Sequence, residues 1–433
     1  MSNLKFLPIT EVLKEIVDNR GKSAPLSESG IPLIATNCIK HSSIYPTFEN
    51  IRYVSEDTFK NWFRTHLKPN DILFVNKGTP GRTCLVPNPV NFCIAQDMIG
   101  FRCDEEKIYY LYLFAVLRSS FIQQKVENYH VGLVIPHFKK KDLDNLLIPI
   151  ISDQQQRRIG DLYFSLSKKI ELNNRINSEL ENLAKTIYDY WFVQFDFPDE
   201  NGKPYKSSGG KMVYNQELKR EIPAGWEVKP LVEWICNDKG GDWGQDVKEG
   251  NFNTKVICIR GTDLNGLNGN GEFKAPIRYI IEKNSHKFLE PFDLIVEISG
   301  GSSSQSTGRL GYISSETLRR FNTPVICSNF CKAISLNNVK SLYYFVYLWN
   351  SIYNNKVFFN WEGKTTGIKN LLFDSFVNSY ITVFPPISLI EKFFNIRQTI
   401  ESQQQINILQ NQQLTQLRDW LLPMLMNGQI TVK

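Results

Sequence analysis

Long apolar runs are missing from this chain of 433 residues. Its longest, such as Leu342 to Trp349, fall far short of the ~20 residues a membrane-spanning helix needs. The amino-terminal stretch Met1-Ser2-Asn3-Leu4-Lys5-Phe6-Leu7-Pro8 carries no apolar signal region. A cytoplasmic protein without membrane association is therefore expected. Histidine is scarce: five residues, at 41, 66, 130, 137 and 286, with no H-x-x-x-H pair. The eight cysteines, Cys38, Cys84, Cys93, Cys103, Cys236, Cys258, Cys327 and Cys331, include no C-x-x-C pair. No metal site is expected, and the thiols read as buried and reduced. His130 and His137 flank an apolar stretch at a separation unsuited to ligation, and read as loop or packing residues.

Extreme charge is absent too. The net charge is +6. Residues 1–150 hold 18 basic against 15 acidic side chains, and residues 222–385 hold 17 against 15. Two weakly basic regions are compatible with phosphate contact without demanding it.

Catalytic motifs are lacking as well. An amino-methyltransferase would need an acidic or amide residue before Pro-Pro and an aromatic. The only Pro-Pro, Pro385-Pro386, stands between Phe384 and Ile387. No G-x-G-x-x-G follows a strand. Gly363-Lys364-Thr365 ends like a phosphate-binding loop, but position 358 is Phe where that loop needs Gly, so a lysine-bearing surface loop is the better reading. Pro198-Asp199 with Glu217-Leu218-Lys219 formally fits a nuclease metal motif. Asp199 lies among turn formers, with no apolar strand to hold it, so a solvated linker is expected. No catalytic residue is assigned.

What the sequence does have is internal repetition, at a period of about 225–236 residues. Ile34-Ala35-Thr36-Asn37-Cys38-Ile39 answers to Ile259-Arg260-Gly261-Thr262-Asp263-Leu264. Arg52-Tyr53-Val54 answers to Arg278-Tyr279-Ile280, and Pro69-Asn70-Asp71-Ile72-Leu73 to Pro291-Phe292-Asp293-Leu294-Ile295. A Gly-containing loop ending in Gly-Arg follows each: Gly78 to Arg82, and the longer Gly300 to Arg309. The aromatic Tyr109-Tyr110-Leu111 recurs as Tyr343-Tyr344-Phe345. Pro149-Ile150-Ile151-Ser152 and Pro385-Pro386-Ile387-Ser388 close the two copies. Strands rich in Ile, Val, Phe and Tyr alternate with short helical stretches, which predicts a mixed α/β fold for each.

A helical ladder follows each copy. Ile159, Leu162, Leu166, Lys169, Asn173, Ile176, Leu180, Leu183, Ile187 and Tyr190 step by three and four. Phe393, Ile396, Ile400, Gln403, Asn407, Gln410, Leu414, Leu417, Leu421 and Met424 repeat it with a shift of 234. Such ladders predict coiled-coil seams, and each wants a partner helix. The simplest pairing is antiparallel, one copy on the other, so that the polar middle meets itself and fixes register. About 40 residues make a rod of ~60 Å. The expected architecture is α+β (mixed α/β): two similar globular domains separated by an antiparallel two-helix coiled-coil spacer, a pseudo-twofold tandem repeat. The expected boundaries are 1–150 for the first domain, 151–195 for the first spacer helix and 196–221 for the connector. The second domain takes 222–385, and the second helix with the C-terminus takes 386–433. A short hairpin is expected around Ser208-Gly209-Gly210.

These features resemble the specificity (S) subunit of type I restriction–modification systems. Pro149 to Ile159, reading PIISDQQQRRI, is similar to the family's P-x-x-S-E-Q-x-R-I at the start of its first conserved helix. Lys169 to Asn177, KIELNNRIN, Trp191 to Phe197, WFVQFDF, and Leu421 to Ile430, LLPMLMNGQI, resemble further family motifs. The second helix departs, since Leu389-Ile390-Glu391-Lys392 lacks the Glu-Gln pair. The resemblance spans the whole chain. It implies that each globular domain is a target recognition domain reading half of a bipartite, asymmetric sequence in double-stranded DNA. It implies that the helices dock two methyltransferase (M) subunits, with restriction/translocase (R) subunits possible. S-adenosylmethionine would sit on the M subunits, and this chain would hold no cofactor. The helix residues expected to serve partner and spacer contacts are Ile159, Leu162, Leu166, Ile176, Leu180, Leu183, Ile187, Ile396, Ile400, Leu414, Leu417 and Leu421. The alternative is a stand-alone DNA-binding or decoy protein with no methyltransferase partner.

Base readout needs donors and acceptors on loops that enter a groove. The first candidates are Lys77, Thr79 and Arg82 in one Gly-containing loop, and Ser302, Ser303, Ser304, Gln305 and Arg309 in its counterpart. Asn37, Lys40, Arg260, Thr262, Lys364 and Thr365 are the second choice.

Overall fold

The computed structural model describes residues 5–18, 21–128, 136–269, 271, 273–302, 304–364 and 368–426. It forms two compact units. Unit 1 takes the chain up to Asn173 and again from Gln410; unit 2 is Asn174–Leu409.

Unit 1 is built on a four-stranded antiparallel sheet in the order Leu13–Asp18, Met98–Cys103, Ile72–Val75, Thr83–Leu85. Ile72–Val75 is buried along its whole length, which is why it reads as an unbroken apolar run rather than an alternation. A second sheet places Ile31–Ile34 between antiparallel Arg52–Val54 and parallel Cys93–Ile94. Lys5–Pro8 pairs with Leu147–Ile150 and so ties the start of the unit to its end. The helix Tyr110–Arg118 is buried from Leu111 to Leu117 and fills the main core.

Unit 2 repeats this plan strand for strand. Its four-stranded sheet runs Ile235–Gly240, Cys331–Leu336, Leu294–Glu297, Leu310–Tyr312, again antiparallel. Its second sheet sets Phe252–Ile259 between antiparallel Ile277–Ile281 and parallel Val325–Cys327. Glu227–Pro230 pairs with Ile381–Phe384. Even the 3-10 turn before the first sheet strand recurs, as Ile9–Val12 and Leu231–Trp234. The buried helix Leu342–Asn354 stands where Tyr110–Arg118 stands in unit 1, and its Trp349 donates to the Gly308 carbonyl at 2.8 Å. The tandem repeat expected from the sequence is thus a repeat of fold.

Two long helices complete the fold, Asp153–Tyr188 and Ile387–Met426. Ser152 accepts from the Gln155 amide at 3.4 Å and marks the start of the first. Gly160 seats it against the Tyr110–Arg118 helix: a Cβ there would lie 2.6 Å from the Tyr112 nitrogen. Within each unit the two helices run antiparallel. In unit 1, Asn173 donates to Gln410 and Asn411 at 2.8 and 2.9 Å, while Arg418 lies over Tyr163. In unit 2, Asn407 donates to Asn177 at 2.7 Å, Arg397 pairs with Glu181, and Tyr188 packs on Phe393.

The seam is rotated by about one residue from the expected ladder. Ile159 is buried as expected, but Tyr163, Ser167, Ile170, Asn177, Ala184 and Tyr188 are buried where Leu162, Leu166, Lys169, Ile176, Leu183 and Ile187 were expected. Leu183 is 50% exposed and Ile176 37%. Leu162, Leu166, Leu180 and Ile187 are half-buried. On the second helix Phe393, Ile400 and Asn407 are buried as expected, Arg397 and Gln404 replace Ile396 and Gln403, Leu417 is exposed, and Leu414 and Leu421 are half-buried. The physical reason is that each helix also packs on its own globular domain. The inward face is set by both neighbours together, which a two-helix ladder ignores.

Other expectations change in detail. The hairpin is Met212–Asn215 with Arg220–Pro223, not at Ser208-Gly209-Gly210, where a tight turn brings Gly210 against Tyr205. Glu362–Lys364 is a strand paired with Lys369–Leu371, not a loop. Seven cysteines are buried as expected, but Cys236 is exposed. No helix of the described residues is long and apolar enough to cross a membrane.

Candidate nucleic-acid interface

The two Gly-containing loops occupy equivalent places. Each leaves the central sheet strand and is closed by the same backbone bond: Val75 to the Arg82 carbonyl at 2.9 Å, and Glu297 to the Arg309 carbonyl at 2.8 Å. In unit 1, Gly78 and Gly81 take left-handed backbone angles of +87° and +90°, which lets the loop fold back within a few residues. A second segment clamps each loop from outside. Phe138 donates to the Asn76 carbonyl at 2.7 Å, and Leu371 to the Ile298 carbonyl at 2.8 Å.

The equivalence exposes a difference. Glu297 is buried and holds Arg309 with two bonds, 2.8 Å from Nε and a second from Nη2. The same carboxylate packs against Gly261 and Gly300, where a Cβ would come within 2.5 and 2.9 Å of it. Arg309 is therefore a positioning residue that braces two loops. In unit 1 the matching pair is Val75 and Arg82. Val75 offers no carboxylate, and the half-buried Arg82 guanidinium has no hydrogen-bond or ion-pair partner among the described residues.

The other candidates divide in the same way. Lys77 is exposed, 3.9 Å from Asp97. The Thr79 hydroxyl is buried without a partner among the described residues, as is the side-chain amide oxygen Oδ1 of Asn76. Ser302, Ser304 and Gln305 are exposed, with Gln305 donating to Tyr353 at 3.3 Å. Asn37 is exposed but bonds the Glu49 carbonyl, and Lys40 pairs with the Glu49 side chain. Arg260 is tied to buried Asp263 at 2.8 and 3.0 Å, a bond that raises its already high pKa. Thr262 is exposed beside it. Ser303 and Thr365 lie outside the described residues, as do His130 and the side chain of Lys364. The fold thus joins each Gly-containing loop to a clamping strand but leaves Asn37 and Lys40 as a separate cluster.

Sequence reasoning missed the clamp of unit 1. His137 forms a backbone bridge with Lys77, and the run Lys139-Lys140-Lys141 follows at the surface. Lys140 pairs with Asp18, while Asp142 and Asp144 follow in the same turn and offset part of the charge. Three consecutive lysines were a visible signal. Their nearness to Lys77 was not.

No group of three or more His, Cys, Asp or Glu suited to a metal occurs among the described residues. Asp199 caps its own turn, accepting from the Asn201 and Lys203 amides at 2.8 Å each.

Comparison with known proteins places this geometry. Residues 9–182 match a family model described as the type I restriction modification DNA specificity domain. The type I restriction enzyme MjaIX specificity subunit of Methanocaldococcus jannaschii is 23% identical, over 97% of this chain and 93% of that protein. The HindI specificity subunit of Haemophilus influenzae is 27% identical over 30% of this chain and 29% of its own. Among solved structures, the S subunit of a type I restriction–modification system from M. genitalium shares the fold. Its TM-score is 0.56 at 15% identity, covering 98% of this chain and 97% of that one.

Proposed function

We propose that the chain is a specificity subunit of a type I restriction–modification system, one that reads a bipartite DNA target and catalyses nothing itself. The observation that carries this reading is the strand-for-strand repeat. Two domains share one frame but present different loop chemistry. Two such readers suit two different half-sites. Arg82, with no carboxylate partner among the described residues, is the best placed arginine for a guanine edge or a phosphate in unit 1. Lys77 and Thr79 accompany it. In unit 2, Ser302, Ser304 and Gln305 take that role, and Arg309 holds the loop for them.

The helices carry the partner role. On the first helix Leu172 stays exposed in unit 1, and Ile176 and Leu183 stay exposed in unit 2. On the second, Ile406 and Leu409 stay exposed in unit 2, and Leu417 and Trp420 in unit 1, with Trp420 57% exposed. Exposed apolar side chains on these helices suit docking of protein partners, here methyltransferase subunits. S-adenosylmethionine would be bound by those subunits.

The test is co-expression with the cognate methyltransferase, followed by mapping of N6-methyladenine across the host DNA. Methylation at one split motif, only when both proteins are present, is the expected result. A complex that forms without methylating would favour the decoy alternative. Methylation by the partner alone would remove the recognition role altogether.

A further inference from the structure

A cavity of about 300 Å³ in unit 1 lies behind the Gly-containing loop, lined by His41, Arg118, Ser120, Gln123, Tyr163 and Arg418. Three cationic or protonatable side chains converge there from separate elements. Arg118 donates through Nε to the Thr83 hydroxyl at 3.2 Å and through Nη2 to the Ser43 and Thr83 carbonyls at 2.5 Å each. These acceptors are all neutral, and Nη1 has no partner among the described residues. Arg418 lies over the Tyr163 ring, 5.4 Å from its centroid, and only its Nε is engaged, by Asp419 at 2.9 Å. Asp419 lines the cavity too, but is 61% exposed, so water screens it. Glu171 also reaches this corner: its field acts on Tyr45 and on Cys84, the thiol that Arg118 acts on as well.

His41 registers the resulting field. The residue is exposed at the surface, but partial burial of its ring, reinforced by the guanidiniums of Arg118, Arg82 and Arg418 and opposed by a hydrogen bond with Gln123, pushes its imidazole below the ordinary value, to about 4. Unbalanced positive charge in a partly enclosed space attracts anions. Guanidinium forks match the oxygens of tetrahedral anions in particular.

We propose that this cavity binds a phosphate-class oxyanion, held by Arg118 Nη1, the free Nη groups of Arg418 and the His41 ring. The site touches the recognition loop through one side chain. Gln123 donates from Nε2 to the Gly81 carbonyl at 3.0 Å, at the neck of that loop. Two sources supply the same chemistry: free phosphate, or a backbone phosphate of DNA lying against the loop. The second source rests on the function proposed above; the site itself does not.

The test titrates inorganic phosphate into the full-length chain at constant ionic strength, by calorimetry and by NMR of the His41 ring. One saturable site per chain is expected, with the His41 titration moving upward when phosphate binds. Arg418→Gln and His41→Gln should each weaken binding at least tenfold, while Arg64→Gln, outside the cavity, leaves it unchanged. Absence of saturable binding overturns the proposal, as does binding indifferent to both cavity variants. Should a variant fold poorly, the His41 shift in the parent chain decides alone. The source is then read on the DNA-bound complex. Phosphate that weakens DNA binding in the parent but not in Arg418→Gln marks a DNA phosphate as the occupant. DNA binding indifferent to phosphate marks the free anion. A complex with no DNA affinity would defeat the recognition reading and leave the anion site standing.

Discussion

His41 is the residue through which acid reaches unit 1. Its folded pKa, about 4, lies below the ordinary 6.5. Between those values the unfolded chain binds a proton that the folded chain refuses, so stability falls as the pH drops. His41 is exposed, so solvent screens the effect, and the loss between pH 7 and 4.5 is only a fraction of the about 2 kcal/mol that a fully buried group with this shift would give. Urea unfolding in phosphate-free buffer at both pH values measures it, with His41→Gln as the reference. Equal pH dependence in the two proteins would remove His41 from the account. Residue chemistry was only half legible beforehand. Arg82 and Arg309 are the same residue at the same place in the repeat, and both were marked as contacts. Only the strand pairing shows that Glu297 faces Arg309 while Val75 faces Arg82. Sequence spacing carries no information about which side chain stands across a strand pair.

The long helices show what a periodic pattern can and cannot say. Their existence, length and antiparallel sense followed from two ladders and a shared polar middle. Their inward face did not. In unit 2 the seam holds a buried ionic knot: Arg397 lies 3.1 Å from Glu401 and from Glu181, and donates to the Tyr312 hydroxyl at 2.9 Å. Arg397 and Glu401 are 3% and 2% exposed at the side chain. Arg397→Met should cost about 3–5 kcal/mol, because it strands the Glu401 carboxylate in the interior. Adding Glu401→Leu should recover much of that loss. Denaturant titration of the single and double variants checks this, and a double variant no better than the single would mean the two charges are not coupled. The sequence hid the knot because Arg397 and Glu401 look like surface residues of an amphipathic helix. The aromatic residues that enclose them come from strands and helices far away in the chain.

At the scale of the molecule, duplication makes the domains exchangeable in principle. Replacing residues 222–385 with the corresponding segment of a relative should change one half of the methylated motif and leave the other intact. Methylome mapping of the chimaera reads this directly. A change in both halves would mean that the domains do not read independently.

The sequence by itself determined the repeat, the mixed α/β character of its copies, the two long helices and the resemblance to a family. Those properties are written in periodicity and in collinear short motifs, which a linear chain displays openly. Tertiary structure decided which arginine is braced and which is free, which helix face points inward, and that Lys77 meets the His137 segment. It also gathered His41, Arg118 and Arg418 around one cavity. Each of these depends on contacts between residues distant in the chain, where burial and pairing, rather than residue type, set what a side chain can do.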